Sequence, residues 1–378
     1  MPSIKKRFTN ICKEYGLVGA SLEIYKNNKS KSLFYGKASE KAKTSKKTIY
    51  RIASVSKVIV ALAAMKLVEE HKLNLDRDIS DYLGFKVRNI HYPDDIITTR
   101  MLMTQTSSLT DGFDDEDLTN ETRRDGYNGV NGTFLDVSLK DLLIPNDSIY
   151  YSELTFSKNK PGTTFIYSNF GCGILACIVE KITNEYFTDY VKKVLFNPLG
   201  INASFRCNEL AHSDKIASTY ISQNNEMILN RTKEYFLKGV YPRFPIGENF
   251  RGPAGGLFIS NQDLSKIMKM MIYKGLYNGK QVYKSSTIEK MFEKNWEGEF
   301  EEYRAKVKSL NADIGKGLTV NGELTGALNN MTRIIDEMTN NKTALYISHR
   351  LSSCRFCNEI IVFEKGKIPN AKDSVNTD

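Results

Sequence analysis

The sequence predicts an α+β protein. Two strands near the start pair as an antiparallel hairpin, and helices with strong apolar faces follow. In the hairpin, Gly19-Ala20-Ser21-Leu22-Glu23-Ile24-Tyr25 alternates apolar and polar residues, Lys26–Lys31 is polar and turns, and Ser32-Leu33-Phe34-Tyr35-Gly36 returns. The longest apolar run, Val58 to Met65, belongs to a helix opened at Ser54 and ending near Lys72. A second apolar helix spans Gly173–Ile182.

The remaining elements follow in order. Residues 5–16 have the periodicity of a short amphipathic helix, and Lys41–Lys47 is a charged loop. Leu73–Ile79 turns into a short helix, and Ile97 to Leu109 holds a helix begun at Thr98 or Thr99. Residues 111–161 are rich in Asp, Asn, Gly and Thr, which predicts loops with one helix near 138–144. Pro161-Gly162 marks a turn, and Asn197-Pro198-Leu199-Gly200 closes the unit after the second apolar helix. Pro253-Ala254-Gly255-Gly256-Leu257-Phe258 is a glycine-rich turn, Ser260 to Asp263 can cap a helix over Leu264–Ile272, and another helix covers Ser286–Phe292.

Beyond Trp296 the character changes. Residues 297–338 are polar, and their helix-like pattern is broken at Gly315, Gly317, Gly322 and Gly326. Thr343–Ser348 and Glu359–Phe363 read as strands, and the tail from Pro369 is polar and expected to be disordered.

Composition excludes several classes. With 41% hydrophobic and 26% charged residues over 378 positions, the chain suits one large or two smaller globular domains. A net charge of +9 suggests mild attraction to anionic surfaces, but no Arg/Lys stripe with interleaved aromatics points to nucleic acid. Met1–Asn10 is basic with no apolar core behind it, so it is not a signal peptide, and Val58–Met65 is too short to span a bilayer. The expectation is a cytoplasmic protein, or an extracytoplasmic one whose leader has been removed. Six cysteines do not make a disulfide framework, and the lone Cys354-Arg355-Phe356-Cys357 lacks partners for a zinc site, so no metal and no cofactor are expected. The oligomeric state is not encoded in any pattern here.

The chemistry begins at Ser54-Val55-Ser56-Lys57. Residues at i and i+3 share a helix face, about 5–6 Å apart at Cβ. Serine needs a base to become a nucleophile, and a lysine among apolar neighbours can lose its proton near neutral pH. The helix head adds unpaired N–H groups where an acyl oxyanion would form. A serine–lysine acyl-transfer site is one reading. The other makes Ser54 an N-cap and Lys57 a solvated first-turn residue. Tyr167-Ser168-Asn169 favours the first: a phenol beside a lysine can pass a proton, and the amide two residues on can hold that lysine and a substrate amide.

Together the two motifs resemble the serine beta-lactamase / penicillin-binding protein superfamily, in its class C-like, esterase-like branch. The flanking text resembles it too. Tyr50-Arg51-Ile52-Ala53-Ser54 is similar to the lead-in to the nucleophile, Thr99–Leu109 to "ITIRHLLTHTSGL", Lys160–Asn169 to "PGxxFxYSN", and Pro253–Leu257 with Asp263-Leu264 to "AGGLxSTxxDL". The match covers about residues 5–293. The resemblance implies a three-layer α/β/α fold: an antiparallel sheet flanked by helices, plus a mostly helical subdomain over about 73–250, within a hydrolase domain of 1–296. It implies Ser54 as the acylated nucleophile, Lys57 as its base, Tyr167 as proton relay and Asn169 as the group orienting Lys57 and substrate. Gln105, Gly255 and Gly256 would contact substrate. The substrate would be a small molecule or cell-wall peptide: a beta-lactam, a D-Ala peptide or a small ester. The other readings are a binding or regulatory protein that kept the fold without catalysis, and an ABC transporter-related accessory fragment without ATPase activity.

One family motif is missing. No K-T-G or H-x-G follows the last helices, and Glu323-Leu324-Thr325-Gly326 is the nearest remnant. That motif would supply a second oxyanion N–H and a cation for a substrate carboxylate. Instead, residues 340–368 resemble the switch-histidine end of an ABC transporter ATPase domain, with His349 where the ATP γ-phosphate would be met, but the chain has no G-x-x-x-x-G-K-[ST] loop. A fusion of a hydrolase domain to an ABC exporter fragment over 297–368, with a tail at 369–378, is the expectation.

Overall fold

A computed structural model describes residues 3–26, 28–112, 125–131, 134–145, 147–223 and 226–296, and the backbone of 344–348. Helix α1 (Ile4–Glu14) leads into strands β1 (Gly19–Lys26) and β2 (Lys29–Ser39), which pair antiparallel from Gly19↔Gly36 to Lys26↔Lys29 as the hairpin pattern requires. Strand β3 (Ala42–Lys43) continues the sheet beside β2. On the other edge β11 (Ala344–Ser348) pairs antiparallel with β1, giving the order β11-β1-β2-β3. Alternation sends Ala20 and Leu22 to one face, where Phe8, Cys12, Leu17 and Leu33 close a small core under α1. Ser21 and Glu23 face the other way, where Ser21 Oγ bonds the Tyr50 hydroxyl. On that side lies α11 (Asn261–Ile272), so helices cover both faces of the sheet.

A second, three-stranded sheet places the site. Strand β4 (Ile49–Arg51) pairs with β8 (Phe258–Ser260), and β5 (Ala203–Ser204) pairs with the other side of β8. The end of β4 runs straight into a turn at Ala53–Val55 and then α2 (Ser56–Glu69). Helix α2 buries Ile59, Val60, Leu62, Ala63, Ala64 and Leu67 with almost no polar stripe, the mark of a helix enclosed all round. It packs against α7 (Asn169–Thr183), buried from Phe170 to Glu180. Together they form the centre of the main core. Glu180, fully buried in α7, accepts N–H bonds from Phe187 and Gly247 at 2.8 Å each. Those bonds answer a carboxyl that burial would otherwise leave unpartnered.

Around this pair lie α3 (Ile79–Leu83), α4 (Thr99–Thr104), α5 (Gly126–Val130), α6 (Leu139–Leu143), α8 (Phe187–Val191), α9 (Asn197–Leu199) and α10 (Lys233–Lys238). The span 73–250 is not helical alone. It also holds β5 and an antiparallel hairpin of β6 (Thr219–Gln223) and β7 (Glu226–Arg231). The hairpin has no long apolar stretch to announce it, because β7 alternates between exposed and half-buried positions. Strands β9 (Leu276–Tyr277) and β10 (Lys280–Gln281) form a small hairpin before α12 (Ser285–Phe292).

Two boundaries differ from expectation for local reasons. The helix expected over Ile97–Leu109 stops at Thr104, because Gln105 adopts φ +60°. The helix expected from Gly173 starts at Asn169, because the Ser168 hydroxyl accepts the Gly171 N–H at 2.9 Å and caps it there. The strand expected at Glu359–Phe363 and the tail lie outside the described residues.

Close approach of α7 to the loop before β8 leaves room only for glycine at position 173. A Cβ there would meet the Phe250 carbonyl oxygen at 2.1 Å. Gly173→Ala should therefore destabilise the fold by about 1–3 kcal/mol, as overpacking does. Urea unfolding would check it: an unchanged midpoint would mean that the Phe250 backbone does not lie against α7.

Candidate active site

Ser54 stands where β4 becomes α2. The turn is sharp: Ala53 has φ +44°, a region that residues with a Cβ rarely occupy. Two bonds hold it there. The Ile52 N–H donates to the Leu257 carbonyl at 3.0 Å, and the Leu257 N–H donates to Ser56 Oγ at 3.1 Å. The Ser56 hydroxyl in turn donates to the Ala53 carbonyl. Sequence neighbours of Ser54 are thus stitched to the glycine-rich turn Pro253–Leu257.

One turn along α2, Lys57 Nζ donates to three acceptors: Ser54 Oγ at 3.1 Å, Asn169 Oδ1 at 2.8 Å and the Ala254 carbonyl at 3.0 Å. These account for all three ammonium hydrogens. The Tyr167 hydroxyl lies 2.6 Å from Ser54 Oγ, and the Lys57 amine sits 4.7 Å from the Tyr167 ring centroid. Burial lowers the pKa of Lys57 from its ordinary value, while Cys172 and Asp111 act in the opposite direction. The four residues Ser54, Lys57, Tyr167 and Asn169, expected from two motifs far apart in the chain, therefore form one hydrogen-bonded cluster.

A fifth residue completes it. Asp111 accepts from Asn169 Nδ2 at 2.7 Å, from the Phe170 N–H at 2.9 Å and from the Ser168 hydroxyl at 3.1 Å. Burial raises the Asp111 carboxyl above its ordinary value, and these donors pull it back down. Asp111 orients the Asn169 amide so that its oxygen faces Lys57. It lies two residues beyond the Thr99–Leu109 segment, and no spacing rule ties it to position 169, so sequence reasoning missed it.

Gly255 and Gly256 line the cavity onto which Ser54 and Asn169 open, a space of 430 Å³. Gln105 does not line it. Its side chain accepts the Ser168 N–H at 2.6 Å and donates to the Leu102 carbonyl, so it braces the Tyr167–Asn169 segment from behind. Glu323–Gly326, His349, Cys354 and Cys357 fall outside the described residues. Among the described residues no group of His, Cys, Asp and Glu side chains could hold a metal ion, and no helix is long and apolar enough to cross a membrane.

Helices around antiparallel sheets give the chain a beta-lactamase-like α+β fold, with a serine, a lysine and a tyrosine gathered at a helix head. The Beta-lactamase family model matches residues 4–323, and the chain belongs to that family. It is similar to Protein flp of Staphylococcus aureus (strain MRSA252), 29% identical over 280 residues that cover 71% of this chain and 49% of that protein. The chain thus spans about half the length of the curated relatives it matches. Among solved structures, a penicillin-binding protein from Bacillus halodurans superposes with a TM-score of 0.55 at 22% identity, covering 79% of this chain and 80% of that one. Simvastatin synthase (LovD) from Aspergillus terreus superposes at 0.59 and 16% identity, covering 82% and 76%. At these identities the structural likeness speaks for the fold. The likeness of residues 340–368 to an ABC transporter ATPase finds no support in these comparisons.

Replacing Asp111 tests the cluster. Asp111→Asn should slow reaction of Ser54 with a serine-directed probe by about ten- to a hundredfold, the worth of bonds to a charged group. Because Asp111 holds the Lys57 pKa up, its loss should also move the alkaline-rising limb of the pH–rate profile to lower pH. A slower reaction with an unmoved limb would leave Asp111 a structural role only.

Proposed function

We propose that the protein is a serine hydrolase that forms an acyl-enzyme at Ser54 on an amide or ester of a small molecule or cell-wall peptide. The contact of Ser54 Oγ with both Lys57 Nζ and the Tyr167 hydroxyl carries this reading. In the first half-reaction Ser54 Oγ forms a bond to the substrate carbonyl carbon, and its proton passes to Lys57, directly or through Tyr167. Collapse of the tetrahedral adduct breaks the bond to the alcohol or amine, which leaves with a proton returned through Tyr167. In the second half-reaction water attacks the acyl carbon. Its proton is taken up through Tyr167, and the ester bond to Ser54 breaks with reprotonation of Oγ. Asn169 keeps the lysine in place and offers its polar edge to the substrate.

The Ser54 N–H at the helix head supplies one oxyanion donor. The second would come from the family's third motif, which has no counterpart in this sequence. Loss of one such donor typically costs about 10²–10³ in rate, so turnover should be slow and the acyl-enzyme long-lived.

Lys57 must be neutral to accept a proton. Since burial lowers its pKa, kcat/KM should rise with pH through a value below the ordinary 10.5 of lysine. A fluorophosphonate or fluorescent penicillin should label the folded protein, and Ser54→Ala should abolish labelling. Labelling that survives in Ser54→Ala, or no labelling of folded protein by either probe, would defeat this reading.

A further inference from the structure

The cavity beside Ser54 is lined by Arg51, Arg206, Arg231, Arg243 and Arg251, and among the described residues no aspartate or glutamate lines it. Two of these arginines are answered by carboxylates just behind the wall. Arg206 bonds Glu209 at 2.7 Å and the Tyr241 carbonyl at 2.6 Å. Arg243 bonds Asp189 at 2.6 Å and Glu209 at 3.1 Å.

The other three have no carboxylate partner among the described residues. Arg51 ends β4, three positions before Ser54, and its guanidinium lies under the glycine-rich turn: a Cβ on Gly255 would stand 3.6 Å from Arg51 Nη2 and 3.7 Å from the Ala53 carbonyl carbon. Arg231 ends β7 and lies over the Tyr235 ring at 4.9 Å. Arg251 is 4% exposed. Its Nη2 donates to the Phe134 and Val137 carbonyls at 2.7 and 2.8 Å, but its Nε and Nη1 are buried with no hydrogen-bond partner.

For Arg251, the buried one of the three, this arrangement is costly by itself. A buried guanidinium without a counter-ion loses its hydration, and an orphaned N–H loses its water bond without replacement. Arg51 also feels the like charge of Arg231. An anion in the cavity would answer the like charges of Arg51 and Arg231, and the planar guanidinium fork matches the paired oxygens of a carboxylate or phosphate. Moreover, these cations come from β4, β7 and the loop before β8. The strand that would carry the family's missing cation is not among them.

We propose that Arg51 and Arg231 form an anion subsite on the cavity wall beside Ser54, and that the substrate carries a carboxylate or phosphate seated there. The word substrate rests on the reading of Ser54 as nucleophile; the subsite does not.

The test separates the two. Full-length Ser54→Ala protein would be titrated calorimetrically, at fixed ionic strength, with inorganic phosphate and with succinate. At least one should bind saturably, and Arg231→Gln or Arg51→Gln in the same background should weaken it about tenfold or more. Arg231→Lys, which keeps the charge, should recover part of the loss. Tighter phosphate binding would identify a phosphoryl group, and tighter succinate binding a carboxylate. With unmutated Ser54, kcat/KM for 4-nitrophenyl hemisuccinate should exceed that for 4-nitrophenyl butyrate about tenfold, and Arg231→Gln should erase the preference. Binding of neither anion, or equal binding in folded arginine variants, would overturn the subsite even if both esters are cleaved. Arginine-dependent anion binding with neither ester cleavage nor labelling by the serine-directed probes would uphold it while removing the hydrolase reading.

Discussion

The Lys57 amine is where three distant stretches of chain are tied together. It sits on α2, reaches back to Ser54, across to Asn169 at the head of α7 and up to the Ala254 carbonyl of the turn before β8. An ammonium in a half-buried place must satisfy all its hydrogens or lose several kcal/mol. That requirement fixes the relative placement of the α2–α7 pair and the β4–β8 ladder. The apolar packing of α2 against α7 supplies the rigidity, and the polar cluster at its end sets the register between them.

A second tier of groups holds the first. Asp111 aims the Asn169 amide, Gln105 anchors the Ser168 N–H, and Ser56 links the strained Ala53 turn to Leu257. None of the three touches the proposed reacting atoms, yet each removes a freedom that would let Ser54, Lys57 and Tyr167 drift apart. The site therefore combines a preorganised hydrogen-bonded cluster with a cationic cavity wall. In the proposed scheme binding energy comes from the wall, while the lack of a K-T-G or H-x-G motif slows the chemistry. That combination favours tight capture and slow turnover.

Much of this was legible in local pattern. Ser54 and Lys57 share a helix face by spacing alone, and the Tyr167-Ser168-Asn169 triplet stood out by its chemistry. The hairpin of β1 and β2 and the buried helices α2 and α7 followed from alternation and apolar runs. Less legible were short strands such as β4 and β8, three residues each, whose apolar content is lost among neighbours. Helix ends were misplaced where one residue decided them: the positive φ of Gln105 cut α4 short, and the Ser168 cap drew the start of α7 back to Asn169.

By itself the sequence determined which residues have the right chemistry: a serine and a lysine one turn apart, a tyrosine and an asparagine in one triplet, and the absence of a third motif. The tertiary structure decided what those residues meet. Only chain crossing brings Asp111 behind Asn169, turns Gln105 away from the cavity, and gathers Arg51, Arg231 and Arg251 at one cavity with no carboxylate partner among the described residues. The physical reason is range. Helical spacing, capping and turn preferences act within a few residues, whereas the long-range hydrogen bonds at this site join residues 57 to 205 positions apart.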